Sequence, residues 1–94
     1  MAEQQRVLIV EDEELMRGMI GDVVASQGLV SRSASCVTEA ETLAIEEHFD
    51  LLITDLNLPG ENGFEFAKRL RKRQPRIQII IVTGYPSHEM MGLK

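Results

Sequence analysis

The chain has 94 residues, a length that supports one hydrophobic core and therefore a single domain over residues 1–94. Hydrophobic residues make up 44% of the chain and charged residues 27%, which indicates a packed, soluble protein, and the net charge of −5 argues against direct contact with nucleic acid. No apolar run approaches the roughly 20 residues of a membrane span, no signal-peptide core follows the polar N-terminus, and the single cysteine allows no internal disulfide, so we expect no membrane contact and a cytoplasmic location.

The first half of the chain predicts two strand–helix units. Residues 6–10 (RVLIV) are typical of a strand buried on both faces. A helix follows, with Gly28 as its C-terminal cap. Its apolar stripe comprises Leu15, Met16, Met19, Ile20, Val23 and Val24. Residues 29–35 indicate a more polar strand at a sheet edge. Thr38 and Glu41 have capping-box spacing for a second helix. Its inward-facing residues are expected to be Ala40, Leu43 and Ala44.

The second half repeats the alternation of strand and helix. Residues 51–55 (LLITD) predict a third strand, and a third helix is expected from about Asn62 until Pro75 stops it. The core residues of that helix are expected to be Phe64, Ala67 and Leu70. Residues 77–83 predict a fourth strand, after which Pro86 is suited to the first turn of another helix. Alternating strands and helices imply an α/β fold, in which helices cover both faces of a doubly wound parallel sheet.

The charge is unevenly distributed along the chain. Residues 1–66 carry 14 acidic and 3 basic side chains, whereas residues 67–94 carry 1 acidic and 7 basic. The basic cluster consists of Lys68, Arg69, Arg71, Lys72, Arg73 and Arg76. We interpret it as cations at the negative end of the third helix, with a basic docking or nucleic-acid patch as the alternative.

Oxygen-bearing side chains stand where three of the predicted strands end. Glu11 and Asp12 follow the first strand, Asp55 ends the third, and Thr83 ends the fourth. In parallel sheets, ligands bind outside the carboxyl ends of the strands, so these groups are expected to meet. Carboxylates gathered there repel one another unless a cation neutralises them, and hard oxygen ligands suit Mg²⁺ or Mn²⁺. The alternative is that each acid caps the following helix, as Asp12 would for the first.

Three segments in this order carry a family resemblance. VLIVEDE, DLLITDLNLPGENG and IIIVTGYPS resemble the receiver domain of two-component response regulators, and the similarity extends from Arg6 to about Pro86. The resemblance implies a flavodoxin-like fold with strand order 2-1-3-4-5. It also implies that a phosphoryl group is accepted from the phosphohistidine of a sensor histidine kinase or a histidine phosphotransfer protein.

The resemblance implies a role for each matching residue. Asp55 corresponds to the phosphoacceptor, and Glu11 and Asp12 to the acidic pair that binds Mg²⁺, although the family usually has two aspartates there. Asn57 corresponds to the residue whose backbone carbonyl completes the metal shell, and Thr83 to the hydroxyl residue that binds the phosphoryl group.

Tyr85 matches a position that modulates access to the phosphorylated aspartate, although simple surface exposure is equally compatible with the sequence. The domain is expected to be a phosphoacceptor and not a conventional enzyme, with catalysis of its own phosphorylation and dephosphorylation left open.

Two other functions remain possible from the sequence. A phosphatase of the haloacid dehalogenase type also uses a strand-end aspartate and Mg²⁺. That family needs a second aspartate two residues later, and this chain has Asn57 there. A pseudo-receiver that binds partners without phosphorylation is the second alternative.

The pseudo-receiver alternative follows from a departure at the end of the printed sequence. The family's strand-five lysine, its fifth strand and its last helix have no counterpart before Lys94. If the chain ended there, residues 77–83 would form an open apolar edge, and we would expect a dimer or higher oligomer.

Overall fold

The computed structural model describes residues 4–82. Within that range no helix is both long and apolar enough to cross a membrane. The elements in chain order are β1 (Arg6–Val10), α1 (Glu14–Ser26), β2 (Val30–Ala34), α2 (Val37–Glu46), β3 (Leu51–Asp55), β4 (Asn57–Leu58), β5 (Glu61–Asn62), α3 (Gly63–Arg73) and β6 (Gln78–Val82).

Four of the strands form one parallel sheet in the order β2-β1-β3-β6. In the centre of the sheet, Val7 of β1 pairs with Leu51 of β3. On the other side of β3, Asp55 pairs with Val82 of β6 at the carboxyl edge. Counting only these four strands, the order is 2-1-3-4, as predicted. The more polar β2 occupies an edge, also as predicted.

Helices cover both faces of the sheet, which confirms the doubly wound arrangement. On one face, α2 and α3 pack against Leu8, Val10 and Leu52. On the other face, Val24 of α1 packs against a smaller group containing Val7, Ile9 and Ile53. Burial on both faces explains why residues 7–10 of β1 and 51–53 of β3 are continuously apolar.

The third helix packs through a different phenylalanine from the one the sequence predicted. Asn62 caps α3 by accepting a hydrogen bond from the Phe64 backbone N–H at 2.6 Å, and the helix stops before Pro75, as expected. The prediction that Phe64 faces the core is wrong, because its side chain is 50% exposed while Phe66 is 1% exposed. Phe66 lies on the same face as Ala67 and Leu70, one and four residues away.

Two predicted helix N-termini are also wrong. Cys36 is the N-cap of α2, two residues before Thr38, and its side chain makes no capping bond. Glu39 instead accepts a hydrogen bond from the Ser35 backbone N–H at 2.7 Å. The N-cap of α1 is Glu13, so Asp12 does not cap that helix.

The first helix buries only half of its predicted apolar stripe. Val24 is buried and Met16 and Ile20 are half-buried, as an inward face requires. Leu15 is 72% exposed and Met19 54% exposed. They lie one position before Met16 and Ile20, which turns them about 100° away from the sheet. Val23 is exposed with them and continues this outer stripe.

A short hairpin between β3 and α3 was not predicted. β4 and β5 pair in antiparallel fashion, Leu58 opposite Glu61, around the two-residue turn Pro59-Gly60. Gly60 has φ +82°, the conformation that the third residue of a type II turn requires, and proline is favoured just before it. Pro-Gly between two short segments was therefore the available signal.

The structure confirms the helix-end interpretation of the basic cluster only in part, because Lys68 and Arg69 lie earlier in α3, where they pair with glutamates, and Arg76 lies after the helix. Arg71, Lys72 and Arg73 lie in its last turn, where they complement the negative end of the helix dipole. The fourth helix predicted from Pro86 lies outside the described residues, and the oligomer expected from the edge of the fourth strand stays a prediction.

We predict that Phe66→Ala lowers the free energy of unfolding by about 3–5 kcal/mol, because it empties a fully buried position. Phe64→Ala is the matched control and should cost less than about 1 kcal/mol, because half of that ring already meets water. Urea denaturation of both variants measures the difference. Equal losses would contradict the observed orientation of α3.

Candidate functional site

Three carboxylates meet at the carboxyl edge of the sheet. β1 ends at Val10 and delivers Glu11 and Asp12, while the neighbouring β3 ends on Asp55. Within residues 4–82, one carboxylate oxygen from each of these three residues lies within 4.8 Å of the other two. This is the convergence that the strand pattern predicted, and it follows from β1 and β3 being adjacent and parallel.

Glu11 is the most constrained of the three acids. Glu11 is 5% exposed, and its Oε2 accepts a hydrogen bond from the Glu13 backbone N–H at 3.1 Å. Burial raises the pKa of the Glu11 carboxyl above its ordinary value of 4.5, and repulsion from Asp55 and Asp12 raises it further, against the lowering effect of the Glu13 bond. The fold therefore makes the Glu11 carboxyl harder to ionise than an ordinary glutamate, and a nearby cation would offset this effect.

Arg17 fixes the turn that carries the acidic pair. Arg17 is the fourth residue of α1, and its Nη1 donates to the backbone carbonyl of Glu11 at 2.9 Å and to that of Asp12 at 3.4 Å. The Glu11 backbone N–H donates to the carbonyl of Ala34 at 3.0 Å, which extends the β1–β2 ladder by one residue. The sequence analysis missed Arg17, and its position five residues after Asp12 was the only available signal.

Asp55 lies at the carboxyl edge of the parallel sheet, as the last residue of β3. The residue is 7% exposed, and its Oδ1 accepts a hydrogen bond from the Asn57 backbone N–H at 3.2 Å. The next residue, Leu56, donates its N–H to the Val82 carbonyl at 2.8 Å, so β3 and β6 stay paired up to the point where Asp55 emerges. The Asp55 carboxylate is thus presented at the end of a paired strand rather than on a loop.

Gly63 is a second residue that sequence reasoning missed. It is the first residue of α3 and donates its N–H to the Leu56 carbonyl at 2.8 Å. A Cβ at this position would overlap the Asp55 backbone carbonyl oxygen and come within 2.9 Å of Thr54 Oγ1. Only glycine lets α3 begin directly against the strand end, so this close approach fixes the backbone of Asp55.

Of the three remaining predicted site residues, the structure describes only Asn57. Asn57 lies at the start of β4 with its N–H on Asp55, which places its backbone beside the acids. Thr83 and Tyr85 lie outside the described residues. The part of the chain that the structure describes ends at Val82, which pairs with Asp55.

The donor set fits a small hard cation. Three carboxylates offer only oxygen ligands, and one of them, Asp12, is exposed enough to leave room for water or a further ligand. Mg²⁺ keeps several waters when it binds to one or two carboxylates, so a partial protein cage is sufficient. Neutralising three adjacent carboxylates would also relieve the repulsion at Glu11.

Residues 7–92 match the response regulator receiver domain family. The chain belongs to this family, and its sheet order is that of the flavodoxin-like fold. It is a signalling domain of response regulators, which favours the receiver function over the phosphatase and pseudo-receiver alternatives.

Individual relatives and solved structures agree with this assignment. Response regulator protein PilR of Pseudomonas aeruginosa is 34% identical over 84 residues, which are 89% of this chain and 19% of that protein. The structure of TrrA from Thermotoga maritima in complex with Mg²⁺–BeF has a TM-score of 0.82 and 29% identity, and the match covers 90% of this chain and 74% of TrrA.

A third similar protein was solved with a modified side chain. A response regulator from Burkholderia pseudomallei, solved with a phosphorylated aspartic acid and a calcium ion, also has a TM-score of 0.82 and 29% identity. The match covers 93% of this chain and 51% of that one. This chain therefore spans about a fifth of PilR and half of the Burkholderia protein.

The raised pKa of Glu11 predicts a pH effect in metal-free buffer. Because the folded-state pKa lies above 4.5, folding binds a proton in the interval between the two values, and the stability this contributes is lost as the pH rises through the folded-state pKa. Glu11→Gln cannot lose that proton. Its stability relative to the wild type should therefore increase as the pH rises above 4.5.

Urea denaturation in EDTA across this pH range measures the effect. Glu46→Gln, an exposed glutamate at the end of α2, is the control and should follow the wild type. If the stability of Glu11→Gln and of Glu46→Gln depended on pH in the same way, the raised pKa of Glu11 would be contradicted.

Proposed function

We propose that Asp55 accepts a phosphoryl group, with a divalent cation held by Glu11, Asp12 and Asp55. The observation that carries the proposal is the convergence of a nearly buried strand-end aspartate with two further carboxylates, all within 4.8 Å, in a chain of the receiver family. The phosphorylated aspartic acid in the Burkholderia protein and the Mg²⁺–BeF complex of TrrA support it by similarity.

The proposed chemical step is a transfer from a phosphohistidine. One carboxylate oxygen of Asp55 attacks phosphorus, a P–O bond forms, the P–N bond breaks, and the departing imidazole keeps its electron pair. Positioning and charge stabilisation dominate such reactions. The Asn57 N–H on Oδ1 orients the Asp55 carboxylate. Return to the resting state needs water to attack phosphorus and release the carboxylate.

The acidic pair would bind the cation. Glu11 and Asp12 each offer a carboxylate oxygen, and the Asn57 backbone carbonyl is proposed as a further ligand. Mg²⁺, or Mn²⁺ in its place, would supply positive charge that offsets the phosphoryl oxygens and the three carboxylates together. Arg17 holds the carbonyl groups of Glu11 and Asp12 and so keeps the pair in place as charge accumulates.

The proposed donor is the phosphohistidine of a sensor histidine kinase or a histidine phosphotransfer protein. The outer stripe of α1, formed by Leu15, Met19 and Val23, supports a contact with such a protein. Leu15 and Met19 lie in the first two turns after the acidic pair and are exposed. A donor that covers this apolar surface would bring its histidine to the acids and exclude water from them.

Several finer features belong to the same proposal. We propose that residues 1–94 belong to one receiver domain, that Thr83 binds the phosphoryl group, and that Tyr85 modulates access to it. Labelling by acetyl phosphate alone would show that the domain catalyses its own phosphorylation. The cytoplasmic location stays a prediction.

Phosphorylation of the purified protein tests the proposal. Incubation with acetyl phosphate and Mg²⁺, followed by peptide mass spectrometry, should give a single base-labile phosphoryl adduct on Asp55. EDTA should abolish the adduct, because the transfer requires charge neutralisation at the acids. Asp55→Asn should not be labelled.

Asp22→Asn is the matched control. Asp22 is exposed on α1, away from the strand ends, so this variant should be labelled as fast as the wild type. Labelling that survives in Asp55→Asn would show that another residue is the acceptor. A wild-type chain that is never labelled by acetyl phosphate or a phosphohistidine donor would favour a pseudo-receiver.

A further inference from the structure

An ion-pair network connects the hairpin behind the phosphoacceptor to the two helices beside it. Arg69, in the middle of α3, donates to Glu41 Oε2 of α2 through Nε at 3.1 Å and through Nη2 at 2.6 Å. The same guanidinium donates to both carboxylate oxygens of Glu61 in β5, through Nη1 to Oε2 and through Nη2 to Oε1 at 3.2 Å.

The geometry of Arg69 is more specific than that of an ordinary surface cation. Its guanidinium makes four hydrogen bonds to carboxylates 8 and 28 residues away in sequence, and its central carbon lies 5.8 Å from the centre of the buried Phe66 ring. The planar fork of arginine suits such paired contacts, which a lysine cannot reproduce. By contrast, Lys68 makes a single pair with Glu65, three residues away on the same helix.

Glu61 connects this network to the phosphoacceptor. It pairs with Leu58 across the hairpin, and the preceding pair in the ladder joins Asn57 to Asn62. The Asn57 N–H is the group that donates to Asp55 Oδ1. A hairpin with two residues per strand is too short to hold its own geometry, so its position depends on contacts outside it.

We propose that Arg69 is a positioning residue for Asp55, acting through Glu61 and the β4–β5 hairpin to keep the Asn57 N–H on the Asp55 carboxylate. The inference rests on the proposed function, because it matters only if the orientation of Asp55 matters. Exposed ion pairs contribute little to overall stability, so the network is expected to affect the geometry of the site more than the stability of the fold.

Two measurements test Arg69 independently of each other. The first is amide hydrogen exchange at Asn57, followed by NMR in metal-free buffer. The second is Mg²⁺ affinity, measured by titration. Arg69→Gln and Glu61→Gln should each speed exchange at Asn57 by about two- to fivefold, the range that the loss of an exposed ion pair allows, and weaken Mg²⁺ binding by a similar factor. Exchange at Leu8 in β1 should not change.

The chain offers matched controls for each part of the network. Lys68→Gln removes a cation one position away on α3 and should leave both measurements at wild-type values. Glu41→Gln keeps the Arg69–Glu61 pair and should have a smaller effect than Glu61→Gln. Arg69→Lys should recover only part of the loss, since it cannot bridge both carboxylates. In the double variant, the effects of Arg69→Gln and Glu61→Gln should not add.

The outcomes separate this inference from the proposed function. If Arg69→Gln and Glu61→Gln leave Asn57 exchange unchanged, or change it without weakening Mg²⁺ binding, Arg69 is not a positioning residue. Faster exchange at Leu8 to the same extent would also overturn the inference, because it would indicate general destabilisation. Failure of the proposed function would appear differently, as a wild-type protein that neither binds Mg²⁺ nor is phosphorylated.

Discussion

Three carboxylates crowd together at the carboxyl edge of the parallel sheet, and the contacts around the site act on the backbone that carries them. Adjacent parallel strands place Glu11, Asp12 and Asp55 together, and burial, reinforced by the other two acids, raises the pKa of Glu11. Such an arrangement lowers the stability of the fold unless a cation neutralises the charges. Clusters of this kind are therefore candidates for functional sites. The divalent cation proposed for this site would relieve that repulsion.

Several contacts fix the backbone around the acids. Arg17 holds the backbone of the acidic pair from α1, and Gly63 lets α3 begin directly against the backbone of Asp55. The hairpin supplies the N–H that orients the Asp55 carboxylate, and Arg69 connects that hairpin to α2 and α3. Each of these contacts acts on the backbone or on the orientation of an acid, so the site is preorganised before any ligand arrives.

The sequence predicted the four strands of the parallel sheet and the meeting of the acids, because a buried strand and an acid at its end both leave local patterns, whereas the strand order came from the family resemblance. Sequence reasoning failed where one element can satisfy a pattern in two ways. Phe64 and Phe66 both fit a helical period, and only packing against the sheet selects Phe66. The bonds from Arg17 and from Arg69 reach across turns or between elements and leave almost no local signal, so side-chain geometry was needed to find them.

Titration with Mn²⁺ followed by NMR locates a cation at the three acids, because a paramagnetic ion broadens only the resonances of nearby nuclei. We expect the amides of Glu11, Asp12, Asp55 and Asn57 to broaden first, EDTA to restore them, and Asp12→Asn to weaken the effect. Broadening that begins instead near Glu41 and Glu61, or uniformly over the chain, would contradict a metal site at the strand ends.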